Sequence, residues 1–308
     1  MSLNPPRSLA RPALAALALV ALAAPATRAK APQAEIPVVT DALKEMVRTE
    51  RDFAFKSVKE GMKPAFLEYM APDGVIFQPL AVNARASWEQ RENPGVTLIW
   101  EPAFAEMSAA GDLGWTSGPW ELRSPEGSTN PTIYGTFVSV WRRQPDGSWR
   151  VAADKGVVHT APEKGGVGSR DIEAAPARDR KWKGTKADVL PKLDAKWASM
   201  ARSESVQRSW GDVAAQDVRL VGDGNFPPVG LSAAEEYLVN LNGDYRAKTA
   251  GQGIAASGDL GYSYGVFLRF EPGGKAATDS TSYLNIWRRQ DDGGWRLAVS
   301  VLSRVRRE

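Results

Sequence analysis

From Thr40 to Glu60 apolar side chains recur at helical spacing, at Leu43, Met46, Val47, Phe53, Ala54 and Val58, which predicts an amphipathic helix. Thr40 supplies a capping oxygen and Gly61 a stop. A second short helix is predicted from about Pro64, carrying Phe66, Leu67 and Tyr69, and broken by Ala71-Pro72-Asp73-Gly74. A brief strand, Val75-Ile76-Phe77, and a polar helix around Ala84 to Arg91 come next. Beyond Pro94 the period shortens toward two, predicting strands at "VTLIWEP", "DLGWTSGPWELR", "TIYGTFVSVWRR" and "SWRVAAD". In the last of these, alternation puts Trp149, Val151 and Ala153 on one face and Arg150, Ala152 and Asp154 on the other.

The strand pattern is written twice. "WRRQPDGSW" begins at Trp141 and "WRRQDDGGW" at Trp287, 146 residues later, and each reads as two strand ends joined by a Gly-containing hairpin loop. "GDLGWTSG" from Gly111 matches "GDLGYSYG" from Gly258, and "FLEYMAPDGVIF" from Phe66 aligns without gaps on "WGDVAAQDVRLV" from Trp210, setting Asp73 on Asp217. A nearly constant offset is what tandem domains produce. The expected layout is a first domain over 40–160, a linker over 161–191 and a second domain over 192–306. The linker, "APEKGGVGSRDIEAAPARDRKWKGTKADVLP", mixes Pro, Gly and both charges without apolar periodicity. In the second copy "SAAE" from Ser232 reads as a capping box. "RSESVQRSWGDV" from Arg202 replaces apolar helix positions with polar ones.

Charge changes the picture mainly at the N-terminus. Arg7 and Arg11 precede the apolar run "ALAALALVALAA", and small residues follow, the order of a secretory signal peptide over 1–29. The run is too short for a finished membrane span, so periplasmic or secreted localisation is expected. Residues 1–29 hold Arg7, Arg11 and Arg28 but no acid, which leaves 36 basic and 36 acidic residues of the original 39 and 36. The basic excess thus belongs to the leader, and neither nucleic acid nor a membrane is expected as a partner of the mature chain. With 43% hydrophobic and 24% charged residues the chain has a soluble globular composition. The absence of cysteine excludes disulfides, thiolate metal sites and thiol nucleophiles.

Helices followed by Trp-rich strands closing on a "DGSW" hairpin resemble the nuclear transport factor 2-like superfamily. The nearer resemblance is to its SnoaL-like, ketosteroid-isomerase-like branch, known as domain of unknown function 4440. Asp73-Gly74-Val75-Ile76-Phe77, Gly111-Asp112-Leu113-Gly114, and Val140-Trp141-Arg142-Arg143 through Asp146-Gly147-Ser148-Trp149-Arg150-Val151 carry it, with counterparts at Asp217-Val218, Gly258 to Gly261 and Ile286 to Leu297. It covers about 42–160 and 192–305. The resemblance implies an α+β fold of two tandem cone-shaped domains, each with N-terminal helices packed on a strongly curved antiparallel sheet around an apolar pocket. It also implies that the two domains can pair through their outer sheet faces as an intramolecular pseudo-dimer.

The resemblance does not fix a reaction, because this fold hosts many. Isomerases of the branch put a carboxylate base where Gln78 stands before Pro79; glutamine cannot relay a proton at neutral pH. The second copy offers Gly222 there, and neither first helix has the tyrosine that holds the oxyanion. Two readings of Asp154 and His159 stand: an acid–base pair in the pocket, or Asp154 at a sheet edge paired with Arg150 or Arg142 and His159 solvated at the linker. The second is preferred, because a lone histidine in a polar stretch has no partner fixed by sequence. No metal or organic cofactor is expected. Phe53, Tyr69, Trp100, Trp115, Tyr134, Tyr262 and Tyr283 are candidate pocket-lining aromatics, and core packing is the alternative for them. The pairs Arg142-Arg143 and Arg288-Arg289 read as solvated edge charges. The expected activity is binding of a small hydrophobic molecule without committed catalysis. The alternatives are an isomerase, dehydratase or cyclase using Asp154 and His159, and a pseudo-dimeric scaffold for another protein.

Overall fold

In the computed structural model the Thr40 hydroxyl accepts from the Leu43 N–H at 3.2 Å and opens α1 (Asp41–Glu60), which Gly61 ends with φ 98°. The structure describes residues 40–162, 166–183, 185–200, 212–224, 227–238, 243–271 and 273–305. The expected leader over 1–29 and most of the polar run from Arg202 lie outside the described residues. α1 buries Leu43, Met46, Val47, Glu50, Phe53, Ala54 and Ser57, a stripe at the 3.6 period. Val58 falls one position off that stripe and is exposed.

α2 (Met62–Tyr69) starts two residues ahead of Pro64, which its first turn tolerates. β1 (Met70–Phe77) then begins at once, so the predicted breaker lies inside a strand. Its pairing skips from Met70 to Val75, because Pro72 has no N–H to give a ladder. β2 (Ala81–Asn83), α3 (Ala84–Glu89), β3 (Thr97–Trp100), β4 (Phe104–Met107), β5 (Leu113–Arg123), β6 (Ile133–Arg143) and β7 (Trp149–His159) complete this half.

These strands form a sheet in the order β2-β1-β7-β6-β5-β4, with β3 also pairing on β5. The expected antiparallel sheet is in fact mixed, since β1 runs parallel to β7. Parallel neighbours need a long crossover, and nearly the whole half-chain separates these two. β8 (Glu173–Ala174) runs parallel to β4 at the far edge, and downstream the Trp182 N–H donates to the Ser257 carbonyl at 2.6 Å.

α4 (Val189–Met200), β9 (Ala214–Gly222), α5 (Leu231–Leu238), β10 (Asp244–Ile254), β11 (Leu260–Phe270), β12 (Ala277–Arg289) and β13 (Trp295–Arg304) follow. The second sheet has the order β10-β11-β12-β13-β9, again with a parallel pair, β13 and β9. Ser232 does not cap α5 as predicted. It is the second helical residue, and the Gly230 carbonyl accepts from Ala234 instead. Both hairpins form as expected, with Gly147 at φ 84° and Gly293 at φ 85°, the positive angles their turns need. The protein is therefore α+β, with helices on two curved mixed sheets.

Each sheet has two buried faces. Trp149 and Val151 pack with Phe53 and Phe66 under the helices of the first half, and Trp295 and Leu297 with Leu190 and Trp197 in the second. The opposite faces meet each other: Trp115, Val138 and Val140 pack with Tyr262, Leu284 and Ile286 in one core.

Candidate functional site

The position of Asp154 is set by one inserted residue. Val140 pairs with Ala153 and Trp141 with Val151, so β7 carries an extra residue, Ala152, at a bulge. Strict alternation would turn Asp154 away from Trp149 and Val151. The bulge reverses the phase, and Asp154 points in among the helices. Asp154 is thus on an inner strand, not at a sheet edge; Arg142 pairs with Asp73, and Arg150 with the Trp149 carbonyl. β13 repeats the device: Ile286 pairs with Val299 and Trp287 with Leu297, leaving Ala298 extra and turning Ser300 inward.

Asp154 forms the polar end of a cavity of about 250 Å³. Its walls are Phe53 of α1, Met62 and Phe66 of α2, Leu98 and Trp100 of β3, Trp120 and Leu122 of β5, and Phe137 and Ser139 of β6. Gly135 makes room for Trp120, because a Cβ there would lie 2.3 Å from the indole. Asp154 is half-buried, with its accessible surface on the cavity it lines. Its Oδ1 accepts from the Ser139 hydroxyl at 3.1 Å. Burial, and then the neighbouring Glu50 carboxylate, push its pKa up to about 7, against the Ser139 hydrogen bond. Near neutral pH it can therefore donate or accept a hydrogen bond.

Glu50 is the residue that sequence reasoning missed. It is fully buried on α1 and accepts from Trp100 Nε1 at 2.6 Å, Thr116 Oγ1 at 2.5 Å and Trp141 Nε1 at 2.7 Å. Desolvation raises its pKa against those donors. Its signal was available: a carboxylate at the centre of the apolar stripe of α1, where a solvated residue does not belong. Asp194 of α4 is the counterpart in the second half. It accepts from Ser263 at 2.8 Å, Asn285 at 2.9 Å, Tyr283 at 2.9 Å and Trp287 Nε1 at 3.1 Å.

The predicted site residues scatter. Phe53 and Trp100 line the cavity, and Tyr69 stacks on Phe53 at 5.0 Å. Trp115 and Tyr262 lie in the core between the sheets, and Tyr283 sits under the second sheet with Asp194. Gln78 is exposed and accepts from the Ser87 hydroxyl. His159 follows Asp154 by five residues and so faces the other way, into a separate cleft of about 330 Å³ that Tyr134 also lines. There it is buried beside the Thr136 hydroxyl at 3.0 Å, so neither the acid–base pair nor a solvated histidine is formed. Among the described residues no group of three His, Cys, Asp or Glu could hold a metal ion, and no helix is long and apolar enough to cross a membrane.

The expectation of solvated edge charges fails for Arg288. Its guanidinium crosses to the first sheet, meeting Glu106 at 2.7 and 2.8 Å, and also holds Asp217 at 2.8 and 3.0 Å. The repeated Gly-Asp-Leu-Gly loops meet here as well. Asp259 accepts from the Ala109 N–H at 3.0 Å and Asp112 from the Ala256 N–H at 2.9 Å, a reciprocal exchange.

No protein-family model matches the chain, and no curated protein does. Similar solved structures include a protein of unknown function with a cystatin-like fold from Nostoc punctiforme, 15% identical, TM-score 0.32, covering 38% of this chain and 88% of that one. A ketosteroid isomerase-like protein from Erwinia carotovora atroseptica is 15% identical with TM-score 0.30, covering 40% of this chain and 100% of its own. An NTF2-like protein with a cystatin-like fold from Novosphingobium aromaticivorans is 13% identical with TM-score 0.30, covering 39% and 81%.

Proposed function

We propose that the chain is an exported, tandemly duplicated protein of the nuclear transport factor 2-like type. Its first cone binds a small, mainly apolar molecule whose one polar group meets Asp154 and Ser139. The support is the cavity itself: an apolar hollow of about 250 Å³ with a single carboxylate opening on it is the usual composition of a small-molecule site. The second cone acts as a brace. Its inward residue after the bulge is Ser300, which donates to Asn285 at 2.8 Å, and the buried Tyr283 hydroxyl donates to Asp194 at 2.9 Å. The two cones form an intramolecular pseudo-dimer, supported by the shared core between the sheets and the reciprocal aspartate contacts.

The test is a thermal-shift screen of the full chain with sterols, polyketide-like aromatics and fatty acids. A ligand at about 100 times its Kd adds about 2.7 kcal/mol, and Leu98→Trp, which fills the cavity, abolishes the shift. A screen that moves nothing defeats the reading. A second reading, proton transfer without metal or cofactor, is favoured by the pKa of Asp154 near 7. A bound ligand recovered from deuterated solvent then carries label with native protein and none with Asp154→Asn; no label with either leaves binding alone.

A further inference from the structure

The cleft that holds His159 has its own composition, independent of the first-cone cavity. Its walls are the outer ends of β5, β6 and β7, the segment after β7, and β9 with the turn beyond it. Phe104, Pro119, Val221 and Val229 give it apolar surface, and Arg170 and Arg219 give it charge. Arg219 is largely withdrawn from water, its side chain 17% exposed, with the guanidinium carbon 3.9 Å from the centre of the Phe104 ring. Its carboxylate partner there, Glu173 at 3.0 Å, is 69% exposed.

A guanidinium does not shed its proton. A buried cation whose counter-ion stands mostly in water leaves positive potential on the wall it lines. Burial depresses the Arg219 pKa in spite of Glu173 and Asp217, and Asp217 is itself held by Arg288. Arg170 adds to that potential. It donates to the carbonyls of Gly166 and Gly168, which carry no formal charge, and it makes no ion pair among the described residues. The acid on the same wall, Glu121, is already occupied by Arg123 at 2.6 Å and the Val167 N–H at 2.8 Å. Ser117, Thr136, Tyr134 and His159 supply the remaining polar groups of the cleft, with the Thr136 hydroxyl 3.0 Å from the His159 ring.

We infer that this cleft is a second binding site, for a small organic anion: a carboxylate on an apolar body. The anionic oxygens meet Arg170 and Arg219, and the body lies against Phe104, Pro119, Val221 and Val229. Trp120 lines both this cleft and the first-cone cavity, so its indole signal reports on occupancy of either.

The experiment titrates benzoate into the full chain and follows amide and indole resonances, with benzyl alcohol as the uncharged match and inorganic phosphate as the anion without an apolar body. Benzoate is expected to shift the Trp120 indole and the amides of Ser117, Gly118, Tyr134 and Thr136. Benzyl alcohol and phosphate bind at least about tenfold more weakly. Arg170→Gln weakens benzoate about fivefold, and Arg219→Gln weakens it further. Arg170 is exposed, so its variant decides the matter even where the Arg219 variant fails to fold. The inference is overturned by equal binding of benzyl alcohol, by unchanged affinity in Arg170→Gln, by no shift with benzoate, or by shifts confined to Leu98 and Phe137 in the other cavity.

Discussion

Asp154 has an ordinary carboxyl pKa of 3.8 and is raised to about 7 in the folded chain. The folded state therefore holds this proton more tightly than the unfolded state, and its contribution to stability falls as pH rises from about 4 to about 7. Below that window both states are protonated; above it the full cost of the buried charge applies. Asp154→Asn should match the native protein near pH 4 and exceed it at pH 8 by a few kcal/mol, at about 1.4 kcal/mol per unit. Urea unfolding at the two pH values measures this, and equal differences at both would mean that Asp154 is solvated. The residue identities alone showed that Gln78 cannot relay a proton. They did not show that Asp154 faces inward, because an Ala152-Ala153 pair carries no local mark of a bulge.

At the scale of the element, α1 was legible from its cap, its stripe and its glycine stop, all local features. The role of Glu50 was not, since its partners Trp100, Thr116 and Trp141 come from three strands far along the chain. Glu50→Ala should cost about 3–5 kcal/mol, because it strands three buried donors, Trp100 Nε1, Thr116 Oγ1 and Trp141 Nε1. Glu50→Gln keeps one acceptor oxygen and should cost roughly half of that. The urea midpoint of each variant reads the order; a Glu50→Ala protein as stable as native would show that the helix does not hold the strands through this carboxylate. The breaker at Ala71 to Gly74 is the converse case. The local signal was right about an interruption, but pairing with β7 on both sides of it keeps one strand.

For the whole molecule, the seam between the sheets turns on a buried charge. Glu106 is 1% exposed and takes both hydrogen bonds from Arg288, a residue of the other sheet. Arg288→Met should destabilise the chain by about 3 kcal/mol, because it removes the cation bonded to Glu106 and leaves that carboxylate only the more distant Arg178, at 3.7 Å, and the Trp115 indole N–H among the described residues. Adding Glu106→Gln should recover much of that loss, which a double-mutant cycle measures; simple additivity would show that the pair is not coupled. Lys155 lies on the same seam, buried with its ammonium 2.9 Å from the Ser282 hydroxyl and 4.2 Å from the Phe77 ring centre. Burial depresses its pKa to about 7, which sets a second, opposite slope of stability above neutral pH.

The cap and stop of α1 and both hairpin turns were determined by the sequence itself, because caps, periodicity and positive-φ glycines act within a few residues. The repeated phrases also announced two matching sheets. Which side chains enter the cavity, and which are spent between the sheets, was decided only by tertiary structure. One extra residue in β7 reverses a face, and the second sheet covers Trp115 and Tyr262 in a core that no local pattern distinguishes from a pocket wall. Facing in a strand is a property of its pairing, and pairing joins residues that the chain keeps far apart.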